Sequence, residues 1–328
     1  MIRMDLITAI NIKKYFPVKS NFLQYLITRK REYIKAVDGV SFSIKKGDIF
    51  TLVGESGSGK STTGKLLIKS LELTDGKIIF EGKDITKVKG DELKALRRKM
   101  QIVFQDPYSS LNPTMKIGET IERPLKIHKI CPKDELKKKA LEMLESVGLS
   151  PAEDFYKKYP WQLSGGQRQR VAIARAIIVH PEFVVLDEPV SMIDVSLRAL
   201  ILDLLIKLKQ QYFLTYLFIT HDFAVASYIS NTIATMYLGK IVELGPKKEV
   251  LVNPKHPYTK ALLSAVPIPN PKIKRKKIIP KGEIPNPINP PSGCRFHPRC
   301  DYSEEICRKK EPPLIEVSKN HFVACHLF

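Results

Sequence analysis

No stretch of the 328 residues approaches the roughly 18 to 20 uninterrupted apolar residues that span a bilayer; the longest, residues 213–219, has the length of a strand. The opening Met1-Ile2-Arg3-Met4-Asp5 lacks the basic segment and long apolar run of a secretory leader. Both absences predict a chain at work in the cytosol, peripheral to a membrane at most. Glycine, at 17 residues, is too sparse for a fibrous protein, and no internal repeat is visible. Acidic residues are in deficit: 34 Asp and Glu against 54 Lys and Arg leave a net charge of +20. That excess fits nucleic acid, an anionic membrane face or a lysine-rich solvated surface, and composition does not choose among them. With 43% hydrophobic and 27% charged residues, the chain is too apolar to be disordered and long enough for about two domains.

The order of elements follows from the apolar pattern. Ile49-Phe50-Thr51-Leu52-Val53 reads as a buried parallel strand, followed at once by a glycine-rich segment and by helical character over 62–70. Residues 183–186 and 214–220 have the same β-branched and aromatic make-up, with a helical pattern over 195–211 between them. Leu136, Ala140, Leu144 and Val147 share one face of a further helix whose other positions are mostly Lys and Glu. Alternating strands and helices predict an α/β layered domain ending near residue 267. From 267 to 291 lie eight of the 23 prolines and a basic run through Lys272, Lys274, Arg275, Lys276, Lys277 and Lys281, which predict an extended strap. Beyond it, four of the five cysteines fall within 32 residues.

Chemistry enters at Gly54-Glu55-Ser56-Gly57-Ser58-Gly59-Lys60-Ser61, which fits G-x-x-x-x-G-K-[ST] between a predicted strand and a predicted helix. The glycines let backbone N–H groups turn inward around phosphate oxygens, the helix start adds partial positive charge, and Lys60 adds a full one. Ser61 supplies a hydroxyl for Mg²⁺. A plain glycine-rich turn does not explain Lys and Ser placed together after the last glycine. At 183–188, four apolar residues lead into Asp187-Glu188, two carboxylates at a strand end; beside a phosphate loop the first suits a Mg²⁺ shell and the second a water-polarising base.

Leu163-Ser164-Gly165-Gly166-Gln167, ahead of a predicted helix over 168–179 and about 20 residues before Asp187, completes a set that resembles the ATP-binding-cassette (ABC) ATPases along essentially the whole chain. The resemblance implies an α/β P-loop NTPase fold: a RecA-like core, an antiparallel β subdomain and an α-helical subdomain over about 106–175, all within 1–266. A Pro-rich linker over 267–292 and a small Cys-rich C-terminal extension over 293–328 would follow. It implies ATP and Mg²⁺ as cofactors. Gly54, Ser56, Gly57, Ser58, Gly59, Lys60, Ser61 and Thr62 would hold phosphate, with Ser61, Gln105 and Asp187 around Mg²⁺. Glu188 would be the catalytic base, His221 the γ-phosphate switch, and Phe16 the adenine-stacking ring, with Tyr15 a neighbouring candidate. Ser164, Gly165, Gly166 and Gln167 would meet the nucleotide bound on a second, head-to-tail subunit. One departure is Ser191-Met192-Ile193-Asp194 where the family has Ser-Ala-Leu-Asp; it keeps the charge and alters the shape of a dimer contact.

Three segments resemble the ATPases of oligopeptide and dipeptide importers: residues 106–113, 253–259 and 289–300. The insert over 17–35 resembles the second, F-type ATPase of these systems. The implied partners are a paralogous D-type ATPase, two permease subunits and an extracytoplasmic solute-binding protein, at the cytoplasmic membrane face and without nucleic acid. Related importers carry oligosaccharides or nickel, so cargo stays open; a soluble cassette binding nucleic acid is the rival class. Cys294, Cys300, Cys307 and Cys325 are separated by five, six and seventeen residues. Close C-x₂₋₄-C zinc pairs are missing, and some family members with this tail resemble [4Fe–4S] proteins, which leaves a cubane, zinc or free thiols. Cys131 stands apart as an ordinary thiol. Removing 268–328 is expected to leave ATP binding by the remaining domain largely intact.

Overall fold

The computed structural model describes residues 4–18, 32–266 and 277–328. The insert read over 17–35 and the first part of the proline strap therefore lie largely outside the described residues. The strands are β1 (Asp5–Pro17), β2 (Tyr33–Lys45), β3 (Ile49–Val53), β4 (Asp75–Phe80), β5 (Lys83–Asp84) and β6 (Met100–Val103). They continue with β7 (Phe183–Asp187), β8 (Thr215–Thr220), β9 (Thr232–Tyr237), β10 (Lys240–Pro246), β11 (Ile315–Ser318) and β12 (His321–Val323). Contacts divide the chain into two compact units: residues 1–45, 49–86 and 220–328 form the first, residues 46–48 and 87–219 the second.

In the first unit an antiparallel sheet runs β2-β1-β4-β5. Its register pairs buried residue with buried residue: Ile7 with Ile44 and Phe80, Ala9 with Phe42 and Ile78, Ile12 with Val40. Such cross-strand apolar pairs are what stabilise a half-buried sheet. The Phe42 ring stacks on Phe50 of β3 with centroids 4.9 Å apart, joining this sheet to the strand that precedes the phosphate loop. β3 is buried at all five positions and runs parallel to β9. From β9 the pairing continues antiparallel through β10 and β12 to β11.

The cysteine tail is therefore built into the first unit. β12 lies on β10 through Glu243 opposite Val323 and Leu244 opposite Phe322. Glu243 and His321 are both fully buried, and His321 Nε2 lies 2.8 Å from Glu243 Oε1. The backbone N–H groups of Lys255 and His256 donate to the two oxygens of the same carboxylate at 2.8 and 2.9 Å. The described part of the strap, from residue 277, carries neither helix nor strand before residue 297. Cutting at 268 would take a partner strand from β10 and the histidine from Glu243.

The second unit holds the parallel strands β6, β7 and β8, with β7 between the other two. Every residue of β7 and β8 is buried, the signature of a strand covered on both faces. The helices Ile117–His128, Leu136–Ser146, Ala152–Lys157 and Gly165–Ile177 pack together as the expected helical subdomain. Leu136, Ala140, Leu144 and Val147 are all buried there, as their spacing predicts. Helices start earlier than the apolar pattern indicates: at Lys60 rather than 62, and at Gly165 rather than 168. Their first turns are made of loop-type residues without apolar spacing, and the second of them is held by the capping box of Ser164 and Gln167.

Glu243→Ala is expected to lower stability by about 3–5 kcal/mol, because it leaves His321 and two backbone N–H groups buried without their acceptor. Urea unfolding of the full chain measures it.

Candidate functional site

The phosphate loop sits between β3 and the helix Lys60–Leu67, and two of its glycines are required by space. A Cβ on Gly54 would stand 2.2 Å from the Met236 carbonyl oxygen, and one on Gly59 would stand 2.1 Å from that of Ala36. Gly59 also has φ of +104° and Gly57 +77°, which L side chains rarely adopt. Lys60 is 4% exposed, and its ammonium donates to the carbonyls of Gly54 at 2.7 Å and Glu55 at 2.8 Å. The lysine thus braces the loop from within while adding positive charge to it. The Ser58 N–H donates to Glu55 O at 3.2 Å, and Ser58 O accepts from Gly239 N–H at 2.8 Å. Ser56 and Gly57 face solvent at the loop's crest, and Ser61 and Thr62 are half-buried in the first helical turn.

Two other expected residues belong to this unit. Phe16 is half-buried in β1, with the Lys14 ammonium 5.2 Å from its ring centroid. Its neighbour Tyr15 is committed elsewhere: its hydroxyl donates to Asp38, and burial with that bond pushes its pKa up to about 12. His221 is exposed, just ahead of the helix Phe223–Ile229, whose first turn is capped by Asp222 accepting from Ala224 N–H at 2.7 Å.

The second unit carries the carboxylates and the signature segment. Asp187 ends β7 and is 4% exposed. Glu188 turns into the left-handed region at φ +47°, rare for a residue with a side chain. The turn is held by Glu188 N–H donating to Ile219 O at 3.0 Å, and by Ser191, whose N–H and hydroxyl donate to Glu188 O at 3.2 and 3.0 Å. The Gln105 amide donates to Glu188 Oε2 at 3.0 Å, so the structure brings together two residues that sequence spacing leaves 83 positions apart. Ser164 and Gln167 form a reciprocal capping box: Gln167 N–H donates to Ser164 Oγ at 3.3 Å and Ser164 N–H to Gln167 Oε1 at 3.0 Å. Gly165 and Gly166 make up the first turn of the 13-residue helix so capped. Sequence reading missed its neighbour Arg168, whose guanidinium lies 3.9 Å from the Tyr108 ring centroid. In the departing loop, Ile193 is buried and Met192 is exposed.

The four tail thiols are electrostatic neighbours. Burial pushes the Cys294 thiol up to about 11, and nearby Cys307, Cys325 and Cys300 add to the rise; burial raises Cys300 and Cys325 as well. The backbone N–H groups at Phe296, Tyr302 and Leu327 offset part of the rise at Cys294, Cys300 and Cys325. Among the described residues no three or more His, Cys, Asp or Glu converge as a single-ion site. The tail histidines are engaged elsewhere: His297 Nδ1 with Cys294 O, His321 with Glu243, and His326 Nε2 with Lys310 O. Cys131 is half-buried in the second unit.

A family model described as ABC transporter matches residues 37–191, and one for the C-terminal region of oligopeptide/dipeptide transporters matches 242–307. The oligopeptide transport ATP-binding protein AppF of Bacillus subtilis (strain 168) is 47% identical over 321 residues, 97% of this chain and 96% of its own. The chain belongs to the ATP-binding subunits of ABC transporters. The dipeptide transport ATP-binding protein DppF of Haemophilus influenzae is a further relative, 46% identical over 321 residues, 98% of this chain and 96% of its own. Among solved structures, a dimeric ATP-binding cassette in a post-hydrolysis state, bound to ADP and Pi, superposes with a TM-score of 0.63 at 31% identity. It covers 74% of this chain and 98% of that one. The fold of this ABC subunit is thus the P-loop cassette, and its class of activity is ATP hydrolysis.

Gly59→Ala in this subunit is expected to weaken ATP binding about tenfold or more, since the added Cβ meets Ala36 O and the φ is strained. Titration with a fluorescent ATP analogue measures the loss, and a native circular dichroism spectrum shows that the fold persists.

Proposed function

We propose that this subunit powers the import of di- or oligopeptides by ATP-driven closure against a second ATPase. The match of residues 242–307 to the oligopeptide/dipeptide C-terminal region carries the choice of cargo, and the relatives' names point the same way. In the proposed cycle the loop from Gly54 to Ser61, with Thr62, wraps the phosphates. Phe16 would stack on the adenine, and Ser61, Gln105 and Asp187 would hold Mg²⁺. The metal would neutralise charge on the β- and γ-oxygens. Glu188 polarises the attacking water, and the hydrogen bond it accepts from the Gln105 amide supports this role by fixing the carboxylate. Gln105, bonded to Glu188 at 3.0 Å, would relay the nucleotide state to the membrane partner. His221 contacts the γ-phosphate.

The capped helix start at Ser164, Gly165, Gly166 and Gln167 is suited to an anion, because its first N–H groups lack intrahelical acceptors. One subunit's loop leaves the γ-phosphate open on one side, so the partner ATPase's signature segment completes the site and ATP acts as the adhesive between them. A paralogous D-type ATPase, two permease subunits and an extracytoplasmic solute-binding protein complete the proposed assembly. Among the described residues no helix is long and apolar enough to cross a membrane; the subunit would sit peripherally on the cytoplasmic face. There, anionic lipids reward each nearby Lys or Arg by about 1 kcal/mol, a use of the +20 charge that needs no nucleic acid.

Cys294, Cys300, Cys307 and Cys325 would hold a [4Fe–4S] cluster. Their grouping as electrostatic neighbours within one tail supports a shared ligand set. A cubane spreads its ligands over four irons, so it does not need the tight convergence that a lone zinc requires. Bound there, the cluster would supply folding free energy to the tail.

Glu188→Gln is expected to keep ATP binding, slow hydrolysis about a hundredfold or more and accumulate a closed ATPase dimer; near-normal turnover in the purified pair rejects the base assignment. Anaerobically purified protein is expected to be brown and to lose that absorption in Cys300→Ser. Zinc without iron on metal analysis rejects the cluster.

A further inference from the structure

A phosphate loop that carries a carboxylate has an electrostatic problem, and Glu55 creates it at the second position of this one. Left ionised and unpaired, it would repel the polyphosphate that the loop is built to hold. The answer comes from the turn that carries Cys294 and Cys300. Arg299, its side chain 8% exposed, closes a two-pronged pair on Glu55: Nη1 to Oε2 at 2.8 Å and Nη2 to Oε1 at 3.1 Å. The guanidinium is held over aromatic faces, 5.8 Å from the centroid of Tyr237 and 5.9 Å from that of Phe296. A second tie reaches the same residue, as Glu55 N–H donates to the Tyr258 hydroxyl at 2.9 Å, and Tyr258 packs on Phe296 with centroids 5.3 Å apart. Arg295, on the same turn, bonds the Leu238 carbonyl and the carboxylate of Asp38, which also accepts from Tyr15 beside Phe16. All of these residues lie in the first unit.

We infer that Arg299 is a positioning residue for nucleotide binding: it cancels and fixes the Glu55 carboxylate, making the thiol-bearing turn a determinant of the charge and shape of the phosphate loop. The inference rests on the reading of residues 54–61 as the phosphate site. Bidentate Arg–carboxylate pairs combine direction with charge, which a lysine at 299 would supply only in part.

The test measures ATP-analogue affinity and, without nucleotide, amide exchange over residues 54–60 in the full-length protein. Arg299→Ala is expected to weaken ATP binding about tenfold and to raise exchange in the loop, with Arg299→Lys intermediate. Adding Glu55→Gln to Arg299→Ala is expected to return affinity to within about twofold of the unmodified protein, because the repelling charge is gone. A staple that is merely structural predicts no such recovery, so a double variant as weak as Arg299→Ala overturns the inference. Unchanged affinity and exchange in a folded Arg299→Ala protein also overturn it. If Arg299→Ala does not fold, Arg299→Lys with unchanged affinity and exchange does the same. Failure of the unmodified protein to bind ATP would instead overturn the reading of the site, and the exchange comparison alone would then decide whether Arg299 fixes the loop.

Discussion

A polyphosphate can be held by backbone N–H groups only where the chain comes close and no side chain intervenes. The first unit is organised around that requirement. β3 is buried along its whole length and ends at a loop whose Gly54 and Gly59 are pressed against the carbonyls of Met236 and Ala36. These carbonyls belong to β9 and β2, so the strand parallel to β3 and the antiparallel sheet together decide how much room the loop has. Lys60, buried and bonded to two loop carbonyls, stiffens the same segment from inside. A loop already folded for its ligand avoids the entropic cost of closing around it.

The second unit meets a different constraint. The base proposed to activate water must be aimed without being neutralised, and a strand end with two successive carboxylates would separate the tasks. Asp187 stays buried at the end of β7, while Glu188 leaves the strand through a left-handed turn that Ile219 and Ser191 hold in place. Its side chain meets the Gln105 amide, a neutral donor that orients the carboxylate without supplying a counter-charge. The signature segment is stabilised by its own reciprocal cap, so a helix start made of two glycines keeps its shape.

Much of this was legible because it is local. The phosphate loop, the Asp-Glu pair, the signature segment and the buried helix face at Leu136, Ala140, Leu144 and Val147 each lie within a few turns of chain, where spacing maps directly onto geometry. Helix starts were misplaced by two or three residues, since Gly, Ser and Lys carry no apolar period. The tail was harder. Nothing near Glu55 in the chain announces a guanidinium 244 positions away, and nothing near Glu243 announces a histidine 78 positions away. Both are single polar residues in unremarkable settings until pairing of β10 with β12 brings the tail alongside.

The sequence by itself determined the family and the chemistry class and singled out the residues proposed to carry it, because the phosphate loop and its companion motifs depend on residue type at fixed spacing. The tertiary structure decided what those motifs lean on: the tail as part of the cassette's sheet, the two-pronged neutralisation of Glu55 and the commitment of Tyr15 to Asp38. These are contacts between distant residues whose strength comes from burial and from exact mutual orientation, and a chain acquires neither until its strands have paired.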